Sequence, residues 1–178
     1  MNIYQIKNII NNKTHCIDFK YTTQSSSVLV IINSYIPKII MIKRNRNLRI
    51  HGGEMAFPGG KCDYHDDNIL DTAIRETKEE INLNISKTQI ATKLTPVHTS
   101  TGFTIFPFVT IVNNISDLRA NYNEVDTIFN IPLFSFFQTI KFKNSNTTSC
   151  VFEYQNNIIW GASARILKQL YDILNKSS

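Results

Sequence analysis

A short run of acidic residues on one predicted helix has the chemistry to bind a divalent cation. Glu76 and Glu80 are one helical turn apart and share a face, with Glu79 beside it. Carboxylates this close repel one another, and Mg²⁺ or Mn²⁺ relieves the repulsion because these ions prefer oxygen ligands. A bound ion would also neutralise substrate phosphates and position a water molecule for attack. A neighbouring carboxylate could accept the proton of that water.

The same carboxylates could instead form an ordinary solvated helix face. Arg75 and Lys78 stand beside them and could supply ion-pair partners. The glycine stretch Pro58-Gly59-Gly60 favours a binding site, because glycines let the backbone turn sharply and approach a ligand closely. A carbonyl in this stretch could add a metal ligand. A phosphate would also be favoured near the N-terminus of the helix.

Apolar periodicity predicts the elements that position these residues. A helix is predicted over Asp67 to Ile81, with Asp66 or Asp67 as its cap and Asn82 where it ends. A second, amphipathic helix is predicted from about Ala162 to Leu174, and a short helix begins at Pro132. Strands are predicted at the β-branched and apolar runs Val28–Ile32, Ile39–Ile42, Ile90–Val97, Thr104–Val112, Val151–Tyr154 and Ile158–Trp160. The Asn-rich stretches Asn113–Asn123 and Asn144–Asn146 are predicted as loops.

Length and composition predict one soluble domain over residues 1–178. The chain has 178 residues, of which 42% are hydrophobic and 19% charged, as is ordinary for a globular domain. Its three cysteines form no C-x-x-C pair, which argues against a zinc knuckle and indicates free thiols in a reducing compartment. No apolar run reaches membrane length, and the N-terminus has no signal-peptide pattern. We therefore expect a cytoplasmic protein that does not bind a membrane.

The net charge of +5 suits an anionic partner, either nucleic acid or a small phosphorylated molecule. The densest basic cluster is Lys43, Arg44, Arg46 and Arg49. No aromatic residue interleaves this cluster, which argues against binding of RNA or single-stranded nucleic acid. A small phosphorylated substrate is the better expectation.

The segment from about residue 60 to residue 83 resembles the Nudix box, G-x5-E-x7-R-E-U-x-E-E-x-G-U, where U is aliphatic. The matching positions are Gly60, Arg75, Glu76, Glu79, Glu80 and Leu83. Asp66 or Asp67 stands in place of the first Glu, and Thr77 and Asn82 replace an aliphatic residue and a glycine. The gap between Gly60 and Arg75 is one residue longer than in the general box, as in the coenzyme A subgroup of the family.

The upstream segment is similar to the signature of that subgroup, L-L-T-x-R-S-A-x3-R-x3-G-x3-F-P-G-G. Arg49, Gly53 and the run from Phe57 to Gly60 match it, whereas Lys43 and Arg44 stand at its Arg and Ser positions. Downstream similarity continues at Gly102-Phe103, Pro107, Glu124-Val125, Ile131-Pro132-Leu133 and Ile159–Leu167. The resemblance thus spans about Ile39 to Leu167.

This resemblance implies a Nudix fold of the α+β class, in which a mixed β-sheet is sandwiched between α-helices. It also implies a role for each matching residue. Glu76, Glu79, Glu80 and the backbone of Gly60 would hold Mg²⁺ or Mn²⁺, with Glu79 as a further ligand or as a residue that orients the attacking water. Arg75 would hold the carboxylates by ion pairing with Asp66 or Asp67, and Glu124 is a candidate base or remote ligand. The substrate phosphates would be bound by Lys43, Arg46, Arg49, Gly59 and Gly60.

The implied reaction is metal-dependent hydrolysis of the pyrophosphate bond of coenzyme A or acyl-CoA. The products would be 3′,5′-ADP and 4′-phosphopantetheine or its acyl form. The same metal site would also serve another Nudix substrate, such as ADP-ribose, NADH or a nucleoside triphosphate. A catalytically silent Nudix-like binding module is a further alternative, against which the three retained glutamates argue. The expected partner is a small molecule and not nucleic acid.

Overall fold

The computed structural model describes residues 3–11, 22–142 and 150–175, so that Cys16 and the predicted loop Asn144–Asn146 lie outside the described residues. The helices are α1 Ile3–Asn11, α2 Ile69–Ile81, α3 Leu133–Phe137 and α4 Gly161–Asn175, with a 3₁₀ turn at Lys87–Gln89. The strands are β1 Ser25–Asn33, β2 Lys38–Arg44, β3 Met55–Ala56, β4 Gly59–Lys61, β5 Ile90–Lys93, β6 Val97–His98, β7 Thr104–Val112, β8 Val125–Pro132, β9 Lys141–Phe142, β10 Cys150–Tyr154 and β11 Asn157–Ile159. Within these residues, no helix has the length and apolar character needed to cross a membrane.

The main sheet is mixed, with β1 paired in parallel to β7 along its whole length and antiparallel to β2 and β4. Successive residues of a strand point to opposite faces, and both faces of this sheet are buried. On β2, Ile39 and Met41 join a core that includes α4, whereas Ile40 and Ile42 join a core under α2. The sheet therefore lies between helices, and the predicted α+β class, with a mixed sheet sandwiched between helices, is confirmed.

A split between β1 and β2 brings the glycine stretch into the sheet. β1 pairs with β2 at Ile31–Asn33, and with β4 at Ser26–Val28. The segment that joins β3 to β4 runs between β1 and β2 where these two strands separate. There the Pro58 carbonyl accepts a hydrogen bond of 2.9 Å from the Leu29 amide. The two glycines of β4 consequently lie against α2, the helix that carries the acidic residues.

The structure differs from the predicted elements at several places. Helix α2 is capped by Asn68, whose side chain accepts from the amides of Leu70 and Asp71, and not by Asp66 or Asp67. The predicted strand Ile90–Val97 is broken into β5 and β6. The Asn82 residue that ends α2 adopts the predicted left-handed conformation, with φ of 56°.

Several observed elements are not among the predicted ones: helix α1, the long strand β8 and the short strands β3, β4 and β9. Helix α1 buries Ile6 and Ile10 against the core of α4, and their spacing of four residues is typical of an amphipathic helix. Strand β8 pairs with β2 from Lys38–Pro132 to Arg44–Val125. Its alternation of apolar and polar residues is weak because most of its side chains are only half-buried.

Candidate metal-binding active site

Three carboxylates from two separate parts of the chain meet at one place. Glu76 and Glu80 project from α2, and Glu124 lies immediately before β8. Each offers one oxygen, and the three oxygens lie within 4.8 Å of one another. A divalent cation that prefers oxygen ligands fits this donor set, and like charges so close together need such a counter-charge.

Glu80 is the most deeply buried member of this carboxylate cluster, with 1% of its side chain exposed. Its Oε2 accepts a 2.9 Å hydrogen bond from the Gly59 amide, and its Oε1 accepts one of 3.2 Å from Arg44 Nη1. Burial raises the pKa of this carboxyl to about 8, although both of these partners lower it. A carboxylate in this position is oriented by the backbone and gains strongly from a bound cation.

The glycines of β4 are fitted closely to their surroundings. A side-chain carbon on Gly60 would lie 2.4 Å from Cδ of Glu76, so only glycine lets β4 approach that carboxylate. Gly59 has φ of +146°, and a side-chain carbon there would lie 2.2 Å from the Ser27 carbonyl oxygen. The backbone at Gly59 therefore requires glycine, whereas a side chain at Gly60 would displace the Glu76 carboxylate from the cluster.

Arg75 links the carboxylates of α2 to the segment before the helix. It donates to Asp66 at 2.9 and 3.1 Å, to Glu76 at 2.9 Å and to Glu79 at 3.0 Å. The hydrogen bonds from Arg75 are the main reason that the pKa of Asp66 falls to about 2. Of the two aspartates at the position of the first box Glu, Asp66 is thus the one that pairs with Arg75. Glu79 is half-exposed and lies outside the three-carboxylate cluster.

Backbone hydrogen bonds hold Glu124 in the cluster. The Asn121 amide donates to the Glu80 carbonyl at 2.9 Å, which fastens the loop before β8 to the end of α2. The Asn45 amide, just beyond β2, donates to the Glu124 carbonyl at 2.8 Å. The side chain of Asn121 also donates to Glu124 Oε1 at 3.4 Å, and that of Asn45 donates to the Tyr122 carbonyl at 2.5 Å. The sequence does not reveal the roles of Asn45 and Asn121, because they depend on which loops the fold brings together.

The basic residues predicted to bind phosphate do not form one group, because successive side chains of β2 point to opposite faces of the sheet. Lys43 points away from α2 and donates to Asn157 Oδ1 at 2.9 Å, so the structure separates it from the carboxylate cluster. Arg44, the next residue, points toward α2 and contacts Glu80. Arg46 is largely exposed and lies 3.6 Å from Asp126, and Arg49 is exposed. Arg44 is therefore the member of this group that reaches the carboxylates.

The stability of the metal-free protein should fall as pH rises from about 5 to 8. Glu80 titrates at 4.5 when unperturbed but holds its proton in the fold to about pH 8, so across this interval the unfolded chain binds fewer protons. Burial also raises the pKa of Glu76 and acts in the same direction. Thermal unfolding in a chelator measures this slope, and Glu80→Gln should make it shallower. A melting temperature that rises over this range, equally in wild type and variant, would contradict the assignment.

Comparison with known proteins places the chain in a family. A family model for the NUDIX domain matches residues 23–128, more than half of the chain. The uncharacterized Nudix hydrolase NudL of Yersinia pestis (strain Pestoides F) is 33% identical over 168 residues, which cover 90% of this chain and 84% of the relative.

Solved structures share the fold at lower identity. A MutT/nudix family protein from Enterococcus faecalis superposes with a TM-score of 0.62 at 13% identity, over 97% of this chain and 74% of that chain. The NUDIX domain of Shewanella oneidensis NrtR, solved with ADP ribose, gives 0.61 at 15% identity, over 92% and 95% of the two chains. The matched family model, the NudL relative and the shared fold agree, and the chain belongs to the Nudix hydrolase family.

Proposed function

We propose that the protein hydrolyses the pyrophosphate bond of coenzyme A or acyl-CoA, with Mg²⁺ or Mn²⁺ as cofactor. The observation that carries the proposal is the cluster of Glu76, Glu80 and Glu124 beside the backbone of Gly59 and Gly60. Carboxylates with strand backbone close beside them suit an ion that also binds substrate phosphates. The upstream signature from Lys43 to Gly60 supports coenzyme A within the wider class of nucleoside diphosphate derivatives.

Each residue of the site has a distinct task in this proposal. Glu76, Glu80 and the backbone of Gly60 would hold the metal, and Glu124 would be either a further ligand or the base that accepts the proton of the attacking water. When bound, the divalent ion supplies charge neutralisation for the phosphates and lowers the pKa of a water molecule. Arg75 fixes the carboxylates of α2 by ion pairing. It also holds Glu79 near the site, where Glu79 would act as an outer metal ligand or orient the attacking water.

The proposal treats residues 1–178 as one domain that acts in the cytoplasm. The one-domain assignment is supported by the core, in which Ile6 and Ile10 of α1 pack with Leu170 and Leu174 of α4 against the main sheet. The described cysteines, Cys62 and Cys150, are free thiols, as expected in a reducing compartment.

ADP-ribose is the second candidate substrate, because the NUDIX domain of NrtR was solved with it bound. A panel of coenzyme A, dephospho-coenzyme A, ADP-ribose, NADH and nucleoside triphosphates, assayed with Mg²⁺ and with Mn²⁺, separates the two. We expect the highest kcat/KM for coenzyme A or an acyl derivative. A higher kcat/KM for ADP-ribose would keep the metal site and overturn the coenzyme A proposal.

Arg49→Ala should weaken the binding of coenzyme A more than the binding of dephospho-coenzyme A. In our proposal the exposed Arg49 guanidinium binds the 3′-phosphate that only coenzyme A carries. A charged hydrogen bond of this kind contributes about 2 kcal/mol, so we expect KM for coenzyme A to rise by about tenfold or more. The matched control is Lys38→Ala, which removes a charge from the opposite end of β2 and should leave both KM values nearly unchanged. Equal losses for the two substrates in Arg49→Ala would remove this role.

A further inference from the structure

We infer that Asn121 is a positioning residue of the metal site, whose side-chain amide holds the Glu124 carboxylate toward Glu76 and Glu80 so that the three can share one ion. The inference rests on the proposed function and adds to it a residue that acts through Glu124. Asn121 lies in the loop between β7 and β8, outside both the glycine stretch and the acidic helix. None of the motifs that carry the family resemblance includes this position.

Asn121 connects the two parts of the chain that supply the carboxylates. Its backbone amide donates to the Glu80 carbonyl at 2.9 Å, and its carbonyl accepts from the amides of Glu124 and Val125 at 2.9 and 2.8 Å. Its side chain closes the same turn, because Oδ1 accepts from the Asn123 amide at 3.2 Å and Nδ2 donates to Glu124 Oε1 at 3.4 Å. One residue therefore sets where Glu124 lies relative to the helix that carries Glu80.

The Glu124 carboxylate depends on this contact for its orientation. Among the described residues, the Asn121 amide is the donor of the hydrogen bond that the Glu124 side chain accepts. Glu80, by contrast, accepts one hydrogen bond from the Gly59 amide and another from Arg44. Without the Asn121 amide, the Glu124 side chain would be free to turn away from the cluster into its other rotamers.

A neutral amide suits a residue that orients a metal ligand. A carboxylate has two oxygens, so one can accept the N–H of Asn121 while the other faces an ion. A lysine or arginine in the same place would offset the negative charge that attracts the cation. Removal of a partner that orients a ligating carboxylate typically costs about 10- to 100-fold in metal affinity.

The backbone of the loop is also fixed by contacts that do not involve the Asn121 side chain. The backbone amide of Asn45 donates to the Glu124 carbonyl, and the side-chain amide of Asn45 donates to the Tyr122 carbonyl. Val125, at the start of β8, is completely buried in the core under α2. A change of the Asn121 side chain should therefore leave the loop in place and release the carboxylate of Glu124.

Calorimetric titration of the full chain with Mn²⁺ tests this inference without a substrate. Asn121→Ser removes the Nδ2 donor, whereas its hydroxyl can still accept from the Asn123 amide. We expect this variant to bind Mn²⁺ about tenfold more weakly than wild type. Glu124→Gln should lose at least as much, and the double variant should bind Mn²⁺ as Glu124→Gln does, because Asn121 acts through Glu124. The control Asn123→Ser makes the same change on an exposed side chain of the same loop and should bind as wild type does.

Three results would overturn the inference. Wild-type Mn²⁺ affinity in Asn121→Ser would show that the amide does not hold a ligand, and wild-type affinity in Glu124→Gln would show that there is no ligand to hold. Losses that multiply in the double variant, or an equal loss in Asn123→Ser, would show an effect on the loop that does not pass through Glu124. Failure of the proposed function is visible separately, as absent or different cleavage in the substrate panel, because these titrations contain no substrate.

Discussion

Glu80→Gln should lose most of the hydrolytic activity while the fold stays intact. The amide oxygen of Gln can still accept the hydrogen bond from Gly59, so the buried position keeps a polar partner. The side chain loses its negative charge, however, and with it much of its ability to hold a divalent ion. We expect kcat/KM to fall by about 100-fold or more, the contribution of a single catalytic group. Steady-state kinetics at several Mg²⁺ concentrations, together with thermal unfolding, measures both effects.

Glu79→Gln is the matched comparison for this experiment. It makes the same chemical change on the same helix, one residue away, but Glu79 is half-exposed and bound by Arg75 outside the carboxylate cluster. We expect a smaller loss than for Glu80→Gln. Near-wild-type turnover of Glu80→Gln with Mg²⁺ would contradict the assignment of Glu80 as a metal ligand. A larger loss for Glu79→Gln would move the centre of the metal site toward Glu79.

Gly60→Ala should disable the site by displacing Glu76. The added methyl carbon would lie 2.4 to 2.6 Å from the three carboxyl atoms of Glu76, which cannot stay in place. The backbone of Gly60 is not among those with positive φ, so the substitution acts through this clash and not through backbone strain. Displacement of a catalytic group by about 1 Å can cost on the order of 100-fold in rate. Kinetics and Mn²⁺ calorimetry should show that rate and metal affinity fall together.

Gly161→Ala separates this effect from general destabilisation. Gly161 begins α4 with φ of +61° and has open space around the position of a side-chain carbon. Alanine there strains the backbone without touching the carboxylate cluster, so it should lower the melting temperature and spare the activity. Equal losses of activity in the two variants would show that Gly60→Ala acts through stability alone.

The central strands and α2 could be predicted because their signals are local. The runs around Ile31 and Ile40 are β-branched and buried on both faces, and α2 combines helical apolar spacing with an Asn in the left-handed conformation at its end. Strand β8 could not be recognised in the same way, because most of its side chains are half-buried and its pairing with β2 is set by tertiary structure.

The site was predictable only where chemistry and spacing coincide. Glu76 and Glu80 are recognised by their separation of one helical turn, but nothing local distinguishes the neighbours Lys43 and Arg44. The direction of β2 decides between them, and this depends on which face of the sheet α2 covers. Asn121 fastens the loop that carries Glu124 to α2 through its backbone amide, and residue type does not reveal this contact.

The most direct test of the account is the identification of products after coenzyme A is incubated with the purified protein, with and without Mg²⁺ or Mn²⁺. Chromatography separates 3′,5′-ADP and 4′-phosphopantetheine from the substrate. The account predicts that both products appear in equal amounts, only when the metal is present, and that Glu80→Gln nearly abolishes them. Cleavage that persists in a chelator, or intact coenzyme A beside a rapidly hydrolysed ADP-ribose, would contradict it.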